Sequence, residues 1–326
     1  MPPATIFDGR SVLITGGTGF FGARFVEMLV ETTDAARVIV FSRDEFKQVK
    51  MAQRFRGNDR LRFFLGDVRD LPRLRRAFDG VDIVVHAAAL KQIPVAEYNP
   101  FEFVKTNILG AHNVIEAAID REVCRVVALS TDKASSPINL YGATKLVSDK
   151  LFVAGNAYAG AKDVRFSVVR YGNVVGSRGS VVPTLRALAP GEVFHLTDER
   201  MTRFWITVEQ GIELVRHTLT DMRGGEIFVP KIPSMRLVDL VRWLAPDASI
   251  EVIGARAGEK LHEEMISPDE GRRAIDRGDH YVLQPEIRWA HQNDVIGDPM
   301  PDGFRYGSET NDQWLDRDSL LGLLDG

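Results

Sequence analysis

Short apolar runs alternate with longer segments of helical periodicity along the first half of the chain. The apolar runs are rich in Val, Ile, Leu and Phe without polar alternation, and they occupy residues 11–15, 38–41, 61–65, 83–86, 126–129 and 166–169. Such runs are typical of parallel strands covered on both faces. Helix candidates lie between them, at residues 21–31, 44–55, 101–120 and 141–159. This alternation predicts an α/β fold with a doubly wound parallel sheet.

The pattern changes after Asn173, where the segments become shorter and richer in Gly and Pro. Because 326 residues exceed the usual size of one core, two closely packed lobes are expected. We predict a sheet domain over residues 1–175, to which 204–229 return, and a smaller mixed α/β C-terminal lobe formed mainly by 176–203 and 230–326. Ligands of open α/β sheets bind beyond the carboxyl ends of the strands, so the cleft between the lobes should hold the substrate.

Charge and composition exclude several kinds of partner. The chain has 45 acidic and 41 basic residues, a net charge of -4, and thus no basic field for nucleic acid or an anionic membrane. No apolar stretch approaches the roughly 18 residues that span a bilayer, and the N-terminus lacks a secretory pattern. The single cysteine, Cys124, lies in an apolar run and predicts a buried thiol in a reducing compartment. From the lack of a secretory pattern and of a membrane span, we expect a cytoplasmic protein. We expect no metal site, because His86, His195 and His262 lack metal-ligand spacing.

A glycine-rich turn follows the first predicted strand. Its spacing, G-x-x-G-x-x-G, comes from Gly16, Gly19 and Gly22, and a helix candidate begins directly after it. Residues without a Cβ allow the backbone to approach a pyrophosphate, which then lies at the helix N-terminus. The turn, with Thr18 and Phe20, therefore predicts a dinucleotide site in a Rossmann-like domain.

The end of the second strand should select the cofactor. An acid there would bind a ribose 2′-hydroxyl, whereas a cation accommodates a 2′-phosphate. Because Ser42, Arg43 and Lys47 offer a hydroxyl and two positive charges, we predict NADP, although Asp44 is either a ribose acid or a helix N-cap. Further cofactor contacts are expected after the third and fourth strands, where Asp67 is equally suited to the adenine amino group or to a helix cap; these residues are Asp67, Val68, Ala87 and Ala88.

Candidate catalytic side chains follow the fifth strand. Tyr141 and Lys145 are four residues apart and share one helical face, so an ammonium lies where it can lower the pKa of a phenol. Thr131 adds a hydroxyl at the strand end. Asp132 and Lys133 beside it form either a solvated ion pair or a second acid and base.

These features make the chain similar to the extended short-chain dehydrogenase/reductases, and longer motifs narrow the likeness. The motifs lie at residues 87–100, 131–134, 139–145, 170–183, 201–206 and 225–235. Through them the chain resembles the inverting UDP-N-acetylglucosamine 4,6-dehydratases over nearly its whole length. The resemblance implies UDP-N-acetylglucosamine as substrate and UDP-2-acetamido-2,6-dideoxy-β-L-arabino-hexos-4-ulose as product, the first step toward pseudaminic-acid-type sugars.

The resemblance also implies a role for each candidate catalytic residue. Tyr141, assisted by Lys145, would take the proton of the C4 hydroxyl, which Thr131 would orient. Lys133 would remove the C5 proton and must be neutral to do so, and we expect burial and Lys145 to depress its pKa. Asp132 would retain a proton in a shielded site and give it to the departing C6 oxygen.

The presence of both Lys133 and Tyr141 favours inversion at C5. Sugar dehydratases that retain C5 commonly have Glu at the position of Lys133, and membrane-anchored relatives that act with retention lack the tyrosine. Three alternatives stay open: a retaining UDP-sugar 4,6-dehydratase, a UDP-sugar 4-epimerase and a non-catalytic NADP-sensing protein. The last would predict decay of the Thr131, Tyr141 and Lys145 set, which is intact.

Six further residues are candidate substrate contacts: Lys91, Asn173, Val181, Arg203, Arg256 and Glu259. Arg256 and Glu259 suit a diphosphate and a uridine ribose, although their glycine-rich segment alone reads as a surface loop. Lys91 could instead be a solvated loop residue and Asn173 a turn residue, and Arg203 could join the lobes by an ion pair. We also expect a homo-oligomer.

Overall fold

The structure is a computed structural model that describes residues 5–177, 179–189, 191–254, 258–287 and 296–325. Its first half builds a parallel sheet from β1 Ser11–Thr15, β2 Arg37–Ser42, β3 Leu61–Leu65, β4 Ile83–His86, β5 Arg125–Leu129 and β6 Arg165–Val169. Each predicted strand is confirmed within one residue at either end.

Helical segments connect these strands. They are α1 Phe20–Thr32, α2 Glu45–Arg54, α3 Leu71–Ala77, α4 Ile93–Tyr98, α5 Pro100–Phe103, a π-helical turn Val104–Leu109, α6 Gly110–Asp120, a 3₁₀ turn Asp132–Ala134 and α7 Leu140–Tyr158. The helix predicted over 101–120 is therefore present but contains a π-helical insertion. Such insertions frequently occur at functional sites.

The second half contains shorter elements. They are β7 Asn173–Val174, α8 Val181–Arg186, β8 Val193–Leu196, β9 Thr202–Ile206, α9 Val208–Asp221, β10 Ile227–Pro230, β11 Ser234–Arg236, α10 Leu237–Leu244, β12 Ser249–Val252, β13 Glu264–Ile266, α11 Pro268–Gly271, β14 Ala274–Asp276, β15 His280–Leu283, β16 Asp298–Pro299, β17 Tyr306–Gly307 and α12 Arg317–Asp325.

Within the described residues the main sheet has ten strands, in the order β16-β14-β15-β10-β6-β5-β4-β1-β2-β3. Its centre is parallel and in register: Leu13 of β1 lies beside Ile39 of β2 and Val84 of β4. These apolar strands are buried under helices. Helices α1 and α9 pack against each other, and α6 packs against both α3 and α7. The doubly wound fold is thus confirmed.

The C-terminal segments divide between the main sheet and smaller units. β10 joins β6 in the main sheet, as expected for 226–229, and α9 packs against β5 and β6. β9 instead pairs with β7 and β11 in a separate three-stranded sheet. β14, β15 and β16 add antiparallel strands to the main sheet, although the sequence allocates 230–326 mainly to the smaller lobe. When a short strand pairs with a strand distant in sequence, its own residues do not show which sheet it joins.

Candidate active site

A cleft of ≈ 700 Å³ lies beyond the carboxyl ends of the parallel strands. Segments from both halves of the chain line it. The predicted residues that line it are Gly16, Gly19, Phe20, Gly22, Ala87, Lys91, Thr131, Lys133, Tyr141, Lys145, Asn173, Val181, Arg203 and Glu259. Because one cleft collects residues separated by more than two hundred positions, it is the best candidate for the active site.

The glycine turn forms one end of this cleft. Gly16 has φ +66, and a Cβ there would lie 3.0 Å from the backbone of Ala88. A Cβ on Gly22 would lie 2.5 Å from the carbonyl oxygen of Gly16, so neither position accepts a side chain without backbone movement. Helix α1 begins after Gly19 without a side-chain cap. The turn therefore offers a close backbone and open helix amides, which fits a pyrophosphate.

The other predicted cofactor residues lie around this turn. Thr18 is buried, and the amide of Ala88 donates to Thr15 Oγ1 at 3.3 Å. Val68 is buried against Gly110, where a Cβ would lie 2.8 Å from the Val68 side chain. Val68 thus packs in the core, and any contact it makes with a cofactor must come from its backbone.

Two cations lie where the second strand ends. Arg43 is half-exposed, with Nη1 3.5 Å from Asp67 Oδ2, and Lys47 pairs with Asp44. The Asp44 side chain accepts the amide of Lys47 at 3.0 Å, which makes it the N-cap of α2. The Ser42 hydroxyl accepts from Gln48 at 3.0 Å and still has its own proton to donate.

Asp67 does not cap the following helix. That role belongs to Asp70, whose side chain accepts the amide of Arg73 at 3.0 Å. Asp67 instead accepts from the Arg69 side chain at 2.7 Å. Burial opposes ionisation, but the hydrogen bonds and charges of Arg69 and Arg43 hold the pKa of Asp67 below its usual value. The cap alternative for Asp67 is therefore wrong, and its carboxylate stays available as an acceptor.

Tyr141 and Lys145 lie on the buried face of α7. Burial raises the pKa of the Tyr141 phenol to about 12, although Lys133 and a hydrogen bond with Thr131 favour the phenolate. Lys145 Nζ donates to the carbonyl oxygen of Leu129 at 2.8 Å. Burial lowers the pKa of Lys145 itself. Lys133 thus acts on the phenol electrostatically, while Lys145, the predicted partner of Tyr141, donates to the end of β5.

Lys133, whose side chain is 19% exposed, lies between two carboxylates. Its Nζ lies 3.1 Å from Asp132 Oδ1 and 3.2 Å from Glu263 Oε1. Burial would lower the pKa of Lys133, but these two carboxylates together raise it above its usual value. The expectation of a depressed pKa is therefore wrong. It omitted Glu263, which lies 130 positions away in sequence and is brought in by the fold.

Asp132 is fully buried, between Thr131 and Lys133 of the cleft wall. Its Oδ1 accepts from Thr131 Oγ1 at 2.8 Å and from Lys133, whereas Oδ2 has no hydrogen-bond partner within the described residues. A buried carboxylate oxygen without a donor is costly. Asp132 can therefore carry a proton or accept a hydrogen bond from a bound ligand.

A buried network of ion pairs includes Asp149 of α7. Arg170 is fully buried, and its Nη1 donates to both carboxylate oxygens of Glu270, at 3.0 and 2.9 Å. Its Nη2 approaches Asp149 at 3.4 Å, and Asp149 also accepts from Ser130 at 2.7 Å. Asp149 interacts electrostatically with Lys145. Sequence reasoning missed this network; a charged residue directly after the apolar strand β6 was the available sign.

The π-helical turn places a second missed residue. Asn107 is buried, and its side chain accepts the amide of Leu90 and donates to the Leu90 carbonyl, both at 2.9 Å. It also donates to Thr144 Oγ1 on α7 at 3.0 Å. Asn107 thus ties the loop that carries Lys91 to the helix that carries Tyr141.

Four of the predicted substrate contacts also line the cleft, namely Lys91, Asn173, Val181 and Glu259. Lys91 is exposed on the cleft wall, and desolvation together with the charge of Lys133 lowers its pKa. Asn173 Oδ1 lies 3.5 Å from Lys133 Nζ, and Glu259 accepts from Thr197 at 2.9 Å. Val181 begins α8.

Arg203 contacts residues near it in the cleft wall. Its guanidinium donates to the carbonyl oxygens of Thr202, Lys260 and Leu261 at 2.7, 3.0 and 3.1 Å. Its Nε lies 3.7 Å from Glu263. These partners lie in the same predicted lobe as Arg203, so the contacts do not form the expected ion pair between the lobes. Arg256 lies outside the described residues.

Three other observations bear on the sequence expectations. Cys124 is exposed, so the prediction of a buried thiol is wrong; Val123 fills the buried position beside it. His86 is a core residue that hydrogen-bonds Thr15 at 2.8 Å, and burial lowers its pKa to about 3. In the part of the chain that the structure describes, no helix has the length and apolarity to traverse a bilayer.

Residues 12–285 match a family described as polysaccharide biosynthesis protein. The chain belongs to this family. An inverting UDP-N-acetylglucosamine 4,6-dehydratase from Campylobacter jejuni subsp. jejuni serotype O:23/36 is 50% identical over 329 residues, which cover 98% of each chain. A UDP-glucose 4-epimerase from Rickettsia canadensis is 39% identical and covers 87% of this chain and 85% of its own.

Solved structures agree with these relatives. Pen from Bacillus thuringiensis has a TM-score of 0.89 at 34% identity and covers 98% of this chain and 99% of its own. DesIV, a dTDP-glucose 4,6-dehydratase from Streptomyces venezuelae solved with NAD, has a TM-score of 0.70 at 25% identity and covers 86% and 93%. The predicted family resemblance, the fold and the hydro-lyase class of a 4,6-dehydratase are confirmed at this level.

Proposed function

We propose that the protein is an inverting UDP-N-acetylglucosamine 4,6-dehydratase that uses NADP. The observation that carries the proposal is that Tyr141 and Lys133 line the same cleft as the glycine turn, with the buried Asp132 in contact with Lys133. A base for a hydroxyl, a base for carbon and an acid for a leaving oxygen are the three groups that internal redox dehydration needs. The relative from Campylobacter jejuni carries this activity in its name.

A nicotinamide dinucleotide held at the glycine turn, Gly16, Gly19 and Gly22, would supply the redox chemistry as acceptor and later donor of one hydride. The protein supplies the proton transfers. Tyr141 takes the proton of the C4 hydroxyl, which Thr131 orients. The raised pKa of Tyr141, about 12, makes the phenolate a strong base once it forms, and the positive charge of Lys133 favours its formation.

The 4-ketone acidifies the proton on C5, and Lys133 and Asp132 then act together. Lys133 Nζ and Asp132 Oδ1 are 3.1 Å apart, close enough to exchange one proton directly. With that proton on Asp132, Lys133 is an amine that can take the C5 proton, and Asp132 is an acid that can protonate the C6 oxygen as it leaves. The two side chains therefore act as one acid–base pair.

Inversion at C5 gives UDP-2-acetamido-2,6-dideoxy-β-L-arabino-hexos-4-ulose, an intermediate suited to pseudaminic-acid-type sugars. Support for inversion comes from Lys133, where retaining dehydratases commonly have Glu, together with Tyr141. The likeness to the inverting relative covers 98% of the chain.

NADP is proposed over NAD because of the charges at the end of β2. Arg43 is half-exposed and free to turn its guanidinium toward a 2′-phosphate, and Lys47 lies one helical turn away. Asp44, the residue that could have bound a ribose hydroxyl, is engaged as the N-cap of α2. Asp67 and Val68 would contact the adenine of such a cofactor.

On the substrate side, the uridine diphosphate would extend from the sugar toward the C-terminal lobe. Glu259 suits the ribose hydroxyls, and Arg256 a phosphate. Asn173 lies 3.5 Å from Lys133 and Lys91 interacts with it electrostatically, and both suit the sugar, together with Val181 of the same cleft. This arrangement agrees with an NADP-binding domain over 1–175 and a mainly substrate-binding lobe over 176–203 and 230–326.

We further propose a cytoplasmic homo-oligomer. Large apolar side chains are exposed between α4 and α6, among them Tyr98, Phe101 and Leu109 at 87%, 61% and 45%. Exposed apolar residues clustered in one segment are typical of a protein–protein interface.

The test is the reaction of the purified protein with UDP-N-acetylglucosamine and NADP. Mass spectrometry should show the loss of one water, and NMR of the product made in heavy water should show deuterium at C5 with inverted configuration. Loss of water with retained configuration would make it a retaining dehydratase. An unchanged mass with a C4 epimer would instead support a 4-epimerase, the activity named for the Rickettsia canadensis relative.

A further inference from the structure

Glu263 is a buried carboxylate in the cleft that sequence reasoning did not select. It precedes β13, and its backbone is fixed on both sides, since its amide donates to Ser308 Oγ at 2.9 Å and its carbonyl accepts the Ser308 amide at 2.8 Å. Its Oε1 lies 3.2 Å from Lys133 Nζ. Its Oε2 is buried and has no hydrogen-bond partner within the described ranges. The fold thus fixes the backbone of Glu263 and places its carboxylate in contact with Lys133.

The surroundings of Lys133 define what Glu263 contributes. Among the described residues, Asp132 and Glu263 are the carboxylates within 3.2 Å of Nζ. Arg203, Lys91, Lys260 and Tyr141 also face this cluster, with Glu264 acting on Lys260 and Asp149 on Tyr141 from further away. Asp132 and Glu263 are thus the acids in direct contact with Lys133.

We propose that Glu263 is a positioning residue for the removal of the C5 proton, which holds the Lys133 amine and stabilises the ammonium that forms on it. This inference rests on the proposed function. It follows from the ionisation of the pair: when Asp132 carries the proton that the C6 oxygen needs, Asp132 is neutral and no longer balances the charge of Lys133. A second carboxylate is then required beside a buried ammonium.

The proton transfers balance with Glu263 ionised throughout. The C5–H bond breaks as an N–H bond forms on Lys133, and the C5 electron pair forms the C5=C6 double bond. The C6–O bond breaks with its electrons on oxygen, which takes the proton of Asp132 and leaves as water. Lys133 is then an ammonium and Asp132 a carboxylate, and transfer of one proton between them restores the starting pair. Glu263 neither gives nor takes a proton.

The experiment compares Glu263→Gln with Glu264→Gln as a matched control. Glu264 is the next residue and is also buried, but its carboxylate contacts Ser135, Ser136 and Arg305. The amine of Lys133 is measured in the free enzyme by brief acylation at a series of pH values, followed by peptide mass spectrometry. Dehydration of UDP-N-acetylglucosamine is measured separately by loss of water.

Removal of the Glu263 charge should shift the acylation curve of Lys133 to lower pH by about one unit or more, whereas Glu264→Gln should follow the wild type. Dehydration should fall by about 100-fold in Glu263→Gln, while reduced cofactor still forms when substrate is added. Glu263→Asp keeps the negative charge, but its shorter side chain places that charge further from Lys133. Its acylation curve should therefore lie between those of Glu263→Gln and the wild type. It provides the comparison if the glutamine variant fails to fold.

An acylation curve of Glu263→Gln that coincides with the wild type would overturn the role of Glu263. Equal losses of dehydration in the two glutamine variants would do the same, because a merely structural role affects both. The proposed function fails by a different result, namely a wild-type enzyme that does not dehydrate UDP-N-acetylglucosamine.

Discussion

Replacement of Glu270 by glutamine tests whether the buried ion network stabilises the fold. Glu270 forms two hydrogen bonds with Arg170 Nη1, at 3.0 and 2.9 Å, and the Arg170 side chain is fully buried. The glutamine keeps the shape of the side chain but removes its charge. Arg170 is then left with Asp149, which approaches Nη2 at 3.4 Å, as its remaining carboxylate.

The magnitude follows from this geometry. Opposite charges whose centres are about 4 Å apart attract by about 4 kcal/mol at an effective dielectric constant of about 20. Removal of one partner from a buried pair typically costs 3–5 kcal/mol, because the other charge is left uncompensated. Since Asp149 still balances part of the Arg170 charge, we expect a loss of about 3 kcal/mol in the free energy of unfolding.

Urea denaturation followed by circular dichroism measures this loss. With an m-value of about 3 kcal/mol/M, the midpoint of Glu270→Gln should fall by roughly 1 M. Glu286→Gln is the control, because Glu286 is 59% exposed and its ion pairs with Lys150 and Arg273 should contribute less than about 1 kcal/mol. A midpoint for Glu270→Gln as close to the wild type as that of the control would refute the reasoning.

The pH dependence of this difference provides a second check. Burial opposes the effect, but the charge and hydrogen bonds of Arg170 hold the pKa of Glu270 below its usual value. A carboxylate with a depressed pKa stabilises the fold at pH values above its unfolded pKa and loses that contribution as the pH falls through its folded pKa. The gap between wild type and Glu270→Gln should therefore be full near pH 7 and narrow below about pH 4.

Three further variants test the proposed chemistry. Lys133→Ala should abolish water loss by mass spectrometry, and rapid dehydration by this variant would remove Lys133 from the mechanism. Tyr141→Phe should suppress C4 oxidation by about 100-fold or more, seen as the absence of reduced-cofactor absorbance on substrate addition; undiminished absorbance would contradict the assignment. Arg43→Ala should weaken NADP binding by about tenfold or more while NAD binding changes little, as measured by calorimetry; equal weakening of both would argue against a 2′-phosphate contact.

Much of the fold could be read from local patterns. The six strands of the parallel sheet were predicted because continuous Val, Ile and Leu runs have few other stable environments than a sheet covered on both faces. The helix over 101–120 was located correctly, but its π-helical turn was not, since Asn107 in an otherwise helical pattern gives no local sign of its contacts with Leu90 and Thr144. The burial of Cys124 was predicted wrongly because apolar neighbours do not determine which way one side chain faces.

The sequence by itself determined the elements whose geometry is local: the glycine spacing before α1, the shared helical face of Tyr141 and Lys145, and the acid and base after β5. Only the tertiary structure decided the electrostatics of the site. Glu263 reaches Lys133 across 130 positions, and Glu270 reaches Arg170 across 100. A pKa depends on every charge within a few ångströms, and the fold, not the neighbouring sequence, chooses which charges those are.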